Sequence, residues 1–121
     1  MLSFIVLGIA AAALGVALQV AWRRRWQAYD PSWLVSVVAA QYPDNAKLIE
    51  AANRCTKASA ESRYYTRFVS GSRANQPGAA WQFDHNVTLE SEEYGQLVLD
   101  VLKDGSVGGV EFVGRLLSRD A

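Results

Sequence analysis

Histidine, cysteine and methionine each occur once in this chain, and proline occurs three times. Because Cys55 is alone, the chain cannot form an intramolecular disulfide or a zinc site built on several cysteines. His85 has no second histidine or cysteine with which to complete a typical zinc site. A phosphate-binding glycine loop before a helix and a nucleophile elbow are also missing. The sequence therefore predicts no metal, no cofactor, no small-molecule substrate and no catalytic role.

Charge is absent from the first part of the chain, residues 1–22. As a helix this apolar stretch would span about 33 Å, enough to cross a hydrocarbon core of about 30 Å. A cleaved signal peptide would carry basic residues before a shorter apolar run, whereas here they follow it. We predict a single transmembrane helix with a basic collar in residues 1–29 and a small α+β domain in residues 30–121.

The arginines that follow this stretch predict its orientation. Three arginines lie directly after it and no basic residue precedes it. The positive-inside rule then places the N-terminus outside and the domain on the cytoplasmic or matrix side of an inner or plasma membrane. The predicted membrane-interface residues, which would meet anionic headgroups, are Trp22, Arg23, Arg24, Arg25 and Trp26.

Small residues recur along one face of the predicted membrane helix. Gly8, Ala11, Ala12 and Gly15 follow the i, i+3, i+4, i+7 spacing of a helical stripe. Such a stripe allows close approach of a second helix, so we expect it to pack against a membrane partner. The alternative is that these residues are simply common in membrane helices.

Two further helices are predicted after the collar, which itself continues as helix to about Tyr29. Asp30 followed by proline indicates a helix over residues 31–41, and Pro43 ends it. Asp44 is the candidate N-cap of a second helix over residues 45–59. Its apolar stripe includes Cys55, which is expected to be a small core residue rather than a reactive thiol.

Four strands are predicted beyond the helices, over residues 62–70, 79–90, 94–103 and 106–117. They are expected to form an antiparallel meander. Asp104–Gly105 is a two-residue hairpin signal that sets Leu99 opposite Val110 and Leu97 opposite Phe112. Gly108 and Gly109 suggest a bulge or a close approach of another chain.

The predicted fold is therefore an N-terminal single transmembrane helix followed by two helices packed on a four-stranded antiparallel sheet. One face of the sheet would be wet and the other covered by the helices. The residues expected on the helix-covered face are Trp81, Phe83, Val87, Leu97, Leu99, Val101, Val110 and Phe112.

Two groups of polar residues are candidate sites in the domain. His85 falls on the apolar face of its predicted strand, and Asp84 should point to the opposite face, so the two should not form a dyad. Glu90, Glu92 and Glu93 lie at a turn, where they form either a docking face for a partner or an ordinary solvated surface. Residues 47–73 are net basic and could face lipid headgroups, but their charge is too sparse to predict a nucleic acid partner.

The order of elements, with Pro43 between the helices and the ending GQLVLDVLKDGSVGGVEFV over residues 95–113, resembles a known family. It is similar to the small membrane-anchored proteins of the cytochrome oxidase assembly factor 1 family and the related subunit of the mitochondrial presequence translocase. This resemblance implies a non-catalytic role in assembling respiratory complexes. It also implies a domain on the outer side of the inner membrane, opposite to the side that the arginines indicate.

Three functions follow from the sequence. The first is a single-pass accessory or assembly subunit of a larger membrane protein complex. The second is a membrane-anchored binding module, such as an inhibitor or immunity protein, that uses its acidic turn. The third is an enzyme that uses His85.

Overall fold

The computed structural model describes residues 25–117. The predicted transmembrane helix lies outside these residues, as do its small-residue stripe and the interface residues Trp22, Arg23 and Arg24. Within residues 25–117, no helix is long and apolar enough to cross a membrane.

Within the described residues, six strands form one antiparallel sheet, and three helices accompany it. The strands are β1 (Gln27–Ala28), β2 (Lys57–Ser62), β3 (Tyr65–Arg67), β4 (Phe83–Ser91), β5 (Gly95–Leu102) and β6 (Val107–Phe112), and the helices are α1 (Ser32–Gln41), α2 (Ala46–Asn53) and α3 (Val113–Leu117). The sheet order is β1-β2-β3-β6-β5-β4. The prediction of a four-stranded meander is therefore wrong in both strand number and order.

The sheet departs from a meander because β3 pairs with β6, not with the next strand along the chain. Thr66 lies opposite Val110, and Ser59 lies opposite Arg67. The predicted strand over residues 62–70 is in fact the second arm of a tight β2–β3 hairpin. Its first arm starts at Lys57, inside the predicted second helix, because pairing on both sides overrides the helix preference of Ala, Lys and Glu.

Within residues 25–29, where the predicted helix was expected to continue, the structure has the short strand β1 instead. Gln27 lies opposite Ala58, and Ala28 lies opposite Lys57. The Tyr29 amide continues the contact by donating to the Thr56 carbonyl at 2.8 Å. The Tyr29 ring also meets the Phe68 ring edge-on, with centroids 5.3 Å apart. The domain therefore begins its sheet within residues that were assigned to the collar.

The β5–β6 hairpin confirms the predicted register, with Leu97 opposite Phe112 and Leu99 opposite Val110. The register shifts at Gly108, so Val101 lies opposite Val107 instead of Gly108. This bulge turns the Gly108 carbonyl toward the chain after β3. It accepts hydrogen bonds from the amides of Phe68 at 2.7 Å and Val69 at 3.1 Å. The bulge at Gly108 therefore hydrogen-bonds the β5–β6 hairpin to the residues that follow β3.

A second bulge, at Asp84, changes which side chains of β4 face the helices. Phe83 lies opposite Leu102 but His85 lies opposite Val101, so Asp84 is the extra residue. The extra residue reverses the alternation before it. Trp81 and Phe83 therefore lie apart from the helix-side core, and their predicted position on the helix-covered face is wrong.

Helices α1 and α2 each begin just after a residue whose side chain accepts a backbone hydrogen bond. The Asp30 carboxylate accepts from the Ser32 amide at 3.0 Å, just before α1. Asn45, not Asp44, caps α2 by accepting from the Leu48 amide at 3.1 Å. Helix α2 ends at Asn53, six residues earlier than predicted.

The core lies between these two helices and one face of the sheet. Its members come from both layers and are mostly aliphatic. They are Leu34, Val38, Leu48, Ala51, Ala52 and Cys55 from the helical side, and Leu89, Leu97, Leu99, Val101, Val107, Val110 and Phe112 from the sheet. The predicted two-layer arrangement and the buried position of Cys55 agree with this packing.

Candidate functional site

The face of the sheet turned away from α1 and α2, here called the outer face, carries an arginine held in a fixed position. Arg67 lies between Ser59 on β2 and Gly109 on β6. Its Nε donates to the Glu61 carboxylate at 3.0 Å, and its side chain is only 24% exposed. Its guanidinium carbon lies 4.9 Å from the Trp81 ring centroid and 5.4 Å from that of Tyr65. Two cation–π contacts and an ion pair therefore fix this guanidinium.

Trp81 reaches the outer face because β6 has no side chain at Gly108. A Cβ added to Gly108 would lie 2.6 Å from Cζ3 of Trp81 and 3.0 Å from Cδ2 of Leu102. The indole therefore packs directly on the bulged backbone, and it is 7% exposed. This contact joins the loop after β3 to the centre of the sheet.

Asn75 holds that loop in place. Its amide donates to the Trp81 carbonyl at 2.8 Å, and its side-chain oxygen accepts from the Phe83 amide at 2.9 Å. Asn75 has a φ of 67°, a left-handed conformation that asparagine tolerates better than most residues. Arg73 shares this conformation with a φ of 54°. Such strain at non-glycine residues is often kept where a loop has a function.

Beside Arg67, a tyrosine and a carboxylate form a hydrogen-bonded group. The Tyr65 hydroxyl donates to Asp100 Oδ2 at 2.6 Å, and Asn86 Nδ2 donates to Asp100 Oδ1 at 2.6 Å. Burial, helped by the bond to Asp100, raises the pKa of Tyr65 well above its ordinary value. Tyr65 lies against Gly109, whose missing Cβ leaves room for the phenol. The group links β3, β5 and β4 across the outer face.

A cleft of about 260 Å³ opens on the outer face next to Arg67. It is bounded by the edge of the sheet on one side and by the loop after β3 on the other. Its lining residues are Trp26, Ser59, Glu61, Arg67, Ser70, Gly71 and Ser72. Hydroxyls, an ion pair and an indole together suit a polar partner group that accepts hydrogen bonds, such as a carboxylate or a backbone carbonyl.

The sequence predicted that the His85 and Asp84 side chains point to opposite faces of their strand, but in the structure they are in contact. The His85 imidazole Nδ1 lies 2.6 Å from the Asp84 carboxylate, because the bulge brings both side chains together. The prediction that the two residues point apart is therefore wrong. Both side chains are about half exposed, at 55% for His85 and 52% for Asp84. Among residues 25–117, no group of His, Cys, Asp and Glu is placed to hold a metal ion.

The predicted acidic docking residues, Glu90, Glu92 and Glu93, are all exposed at the end of β4 and in the β4–β5 turn. The backbone of Glu90 is hydrogen-bonded to the side chain of Gln41, the last residue of α1. Gln41 Nε2 donates to the Glu90 carbonyl at 2.6 Å, and the Glu90 amide donates to Gln41 Oε1 at 2.8 Å. The end of β4 that leads into the acidic turn is thus fixed to α1, and none of the three carboxylates lines the Arg67 cleft.

Of the predicted membrane-interface residues, Arg25 and Trp26 fall within the described part of the chain. Arg25 is exposed, and Trp26 is 40% exposed while it lines the cleft. The stripe Gly8, Ala11, Ala12 and Gly15 and the residues Trp22 to Arg24 lie outside the described residues. Their predicted contacts stay predictions.

Sequence reasoning missed the outer-face group of Tyr65, Arg67, Trp81 and Asp100. The signal was present as an arginine set among aromatic residues in SRYYTRFVS, followed later by two adjacent glycines. It was not usable alone, because the pairing of β3 with β6 and the bulge at Asp84 bring these residues together. No protein-family model, curated protein or solved structure matches the chain.

Proposed function

We propose that this chain is a non-catalytic accessory or assembly subunit, attached to a membrane by residues 1–22, that binds a larger membrane protein complex. The observation that carries the proposal is the shortness of the connection. Only residues 23–26 separate the apolar stretch from β1. At about 3.5 Å per extended residue they reach no more than about 14 Å. The domain would therefore stay at the membrane surface, where its partners would be membrane proteins.

On the outer face, Arg67 is a preorganised group that such a partner could contact. Arg67 is fixed by Glu61 and two rings, so little side-chain freedom is lost when a partner group binds beside it. The cleft is too small for a folded domain but accepts a protruding side chain or loop. The resemblance to respiratory assembly proteins favours a respiratory complex as the partner.

Detergent purification of the tagged full-length chain, followed by mass spectrometry, tests the proposal. We expect a stoichiometric membrane protein companion. Gly8→Leu with Gly15→Leu should release it, whereas Ala10→Leu with Ala13→Leu, off the small-residue stripe, should not. Recovery of the chain alone under mild detergent would contradict the proposal.

A second candidate function is a membrane-attached binding module, such as an inhibitor or immunity protein, that acts through its acidic turn. The observation in its favour is that the Gln41 side chain holds the backbone of Glu90 in a fixed position. For this function, Glu92→Lys with Glu93→Lys should abolish target binding in a pull-down. Replacement of residues 1–22 by an unrelated membrane segment should leave binding intact.

A further inference from the structure

The two sides of the Arg67 cleft carry opposite charges. On the side of β1 and β2, the cleft is lined by Trp26, which lies directly before β1, and by Glu61. On the side of the loop after β3, the Arg67 guanidinium lies so close to Gly71 that a Cβ added there would overlap Nη1. The Glu61 carboxylate and Arg67 Nε meet at 3.0 Å. The cleft therefore has a negative, aromatic side and a positive side.

Two serine hydroxyls add hydrogen-bond donors to the positive side. Ser70 Oγ accepts from the Ser72 amide at 3.3 Å, which leaves the Ser70 hydroxyl proton available. Neither hydroxyl donates a hydrogen bond to any residue that the structure describes. A guanidinium together with hydroxyl donors suits the oxygens of a phosphate group.

The negative side of the cleft suits an ammonium group. The Glu61 side chain is 36% exposed, so its carboxylate is within reach of a ligand although it is paired with Arg67. Trp26 is 40% exposed, and indole is the aromatic ring that attracts cations most strongly. A carboxylate beside an exposed indole attracts primary ammonium groups and quaternary ones such as choline.

A ligand that carries both charges gains more from this cleft than either charge alone. A lone phosphate is attracted by Arg67 but repelled by Glu61, and for a lone ammonium the reverse holds. In a zwitterion each charge can lie nearer to its opposite. The cleft volume of about 260 Å³ is below the roughly 300–1,000 Å³ of pockets for drug-sized ligands, so only a small group enters it.

Trp26 also places the cleft next to the predicted membrane segment. Only residues 23–25 separate Trp26 from the apolar stretch of residues 1–22, a distance of no more than about 14 Å. The headgroup layer of a bilayer extends about 5–7 Å beyond the hydrocarbon core on each side. With residues 1–22 in a bilayer, Trp26 is therefore held close to lipid headgroups. Zwitterionic phospholipids carry a phosphate and an ammonium in each headgroup.

We propose that the Arg67 cleft binds the zwitterionic headgroup of a phospholipid, with the phosphate at Arg67 and the two serines and the ammonium at Glu61 and Trp26. This inference rests on the membrane attachment in the proposed function. It adds a bilayer component that competes with a partner side chain for the cleft. A soluble headgroup such as glycerophosphocholine has the same chemistry as the lipid, and bilayers of different composition separate the two sources.

Binding of the soluble headgroup tests the recognition. The full-length chain in uncharged maltoside micelles is titrated with glycerophosphocholine, and saturation-transfer NMR on its methyl protons reports binding. Choline and dimethyl phosphate, each alone, should bind at least about tenfold more weakly than glycerophosphocholine. Equal binding of glycerophosphocholine and dimethyl phosphate, or no binding of glycerophosphocholine, would overturn the proposal.

Glu61→Gln tests the charge selection without relying on loss of binding. The preference for glycerophosphocholine over dimethyl phosphate should fall at least about fivefold, because the variant no longer attracts the ammonium or repels the phosphate. Glu50→Gln is the matched control, since Glu50 pairs with Arg54 at the same 3.0 Å but lies on α2, outside the cleft. An unchanged preference in Glu61→Gln, or an equal change in both variants, would contradict the proposal.

Trp26→Leu tests the aromatic contact. Choline and glycerophosphocholine should bind several-fold more weakly, whereas dimethyl phosphate should bind as before. Phe83→Leu, at an aromatic ring that is 37% exposed and does not line the cleft, is the control. Equal weakening of all three ligands in Trp26→Leu would contradict an ammonium site at the indole.

Bilayer discs distinguish the lipid from the soluble ligand. The full-length chain is placed in discs of phosphatidylcholine or of phosphatidylglycerol, which lacks the ammonium, and isotopically labelled glycerophosphocholine is added. Binding in phosphatidylcholine discs should be at least about fivefold weaker, because lipid headgroups at high local concentration already fill the cleft. Equal binding in the two discs would show that bilayer headgroups do not enter the cleft and would overturn the proposal.

Retention of the chain separates failure of this inference from failure of the proposed function. If alkaline carbonate washes the chain from phosphatidylcholine vesicles, the membrane attachment fails and the lipid site fails with it. If the chain is retained but the two discs do not differ, only the headgroup site fails.

Discussion

Gln41 makes with Glu90 the two hydrogen bonds that a further strand would make with it. The side-chain amide donates to the Glu90 carbonyl at 2.6 Å and accepts from the Glu90 amide at 2.8 Å. Tyr42 adds a bond from its hydroxyl to the Thr88 carbonyl at 3.0 Å. Alternate residues of an edge strand face outward, so these two side chains protect the second half of β4 against pairing with another chain.

Replacement of Gln41 by alanine should therefore weaken the domain and expose its edge. We expect the free energy of unfolding to fall by about 1 kcal/mol, since the two bonds are solvent-exposed. Self-association should rise, measured by sedimentation at increasing protein concentration. Gln76→Ala, at an exposed loop glutamine, is the control. An unchanged association state in Gln41→Ala would show that the edge is protected by other means.

The Tyr65–Asp100 bond predicts a pH dependence on the alkaline side. The pKa of Tyr65 is raised above its ordinary value of 10.0 by burial and by the bond to Asp100. Above about pH 10, Tyr65 loses its phenol proton in the unfolded chain but keeps it in the folded chain. Stability should therefore be complete below about pH 10 and fall as the pH rises further, by less than about 1.4 kcal/mol per pH unit because Tyr65 is partly exposed.

Tyr65→Phe should flatten this dependence and cost about 1–2 kcal/mol at neutral pH through the lost bond. Tyr64→Phe, one residue earlier, is the matched control. Tyr29 also has a raised pKa through burial, so part of the slope should remain. Denaturant unfolding between pH 8 and pH 11 measures both effects. An identical slope in Tyr65→Phe and the unmodified chain would refute the assignment.

Cys55 should be inert in the folded chain. Burial raises its pKa from 9.0 to about 12. At pH 8 the thiolate fraction is then about a thousandfold lower than that of an unperturbed thiol, and the thiolate is the reactive form. An aromatic disulfide reagent should react slowly with the native chain and rapidly after addition of denaturant. Fast native reaction would mean that α2 opens readily or that Cys55 is not buried.

The contact of Trp81 with the bulge predicts a large penalty for a single methyl group. Gly108→Ala would bring its Cβ to 2.6 Å from the indole. We expect a loss of about 1–3 kcal/mol in unfolding free energy from overpacking. Combined with Trp81→Leu, which makes room, the loss should be smaller than the sum of the two single losses. Strict additivity in this cycle would contradict the contact.

The parts of the fold that the sequence predicted correctly depend on contacts close in the chain. Helix α1 occupies Ser32–Gln41, one residue shorter than the predicted 31–41, because Pro31 directly precedes it and Pro43 follows its end. Leu97 lies opposite Phe112 and Leu99 opposite Val110, as predicted from the Asp104–Gly105 turn, whereas next to the turn the bulge at Gly108 sets Val101 opposite Val107.

The errors lie where distant pairing decides. Residues 57–59 have helix-forming composition, yet they pair with β1 and β3. The residues after Phe112 were predicted to continue β6 but form α3. The extra residue Asp84 reverses the alternation of inward and outward side chains along β4. Trp81 therefore lies on the outer face, and His85 contacts Asp84. The sequence did not predict the Arg67 site for the same reason, since the site forms only when β3 lies beside β6.

The position of β3 between β2 and β6 also sets the order in which the domain can be completed during synthesis. Thr66 must wait for Val110 before its strand has a partner on that side. Until the last strand leaves the ribosome, the β2–β3 hairpin has an open edge on the side that β6 covers. The nascent chain therefore passes through a stage in which an incomplete sheet is exposed to chaperones and to its neighbours. Ribosome stalling before residue 107 would hold the protein at that stage.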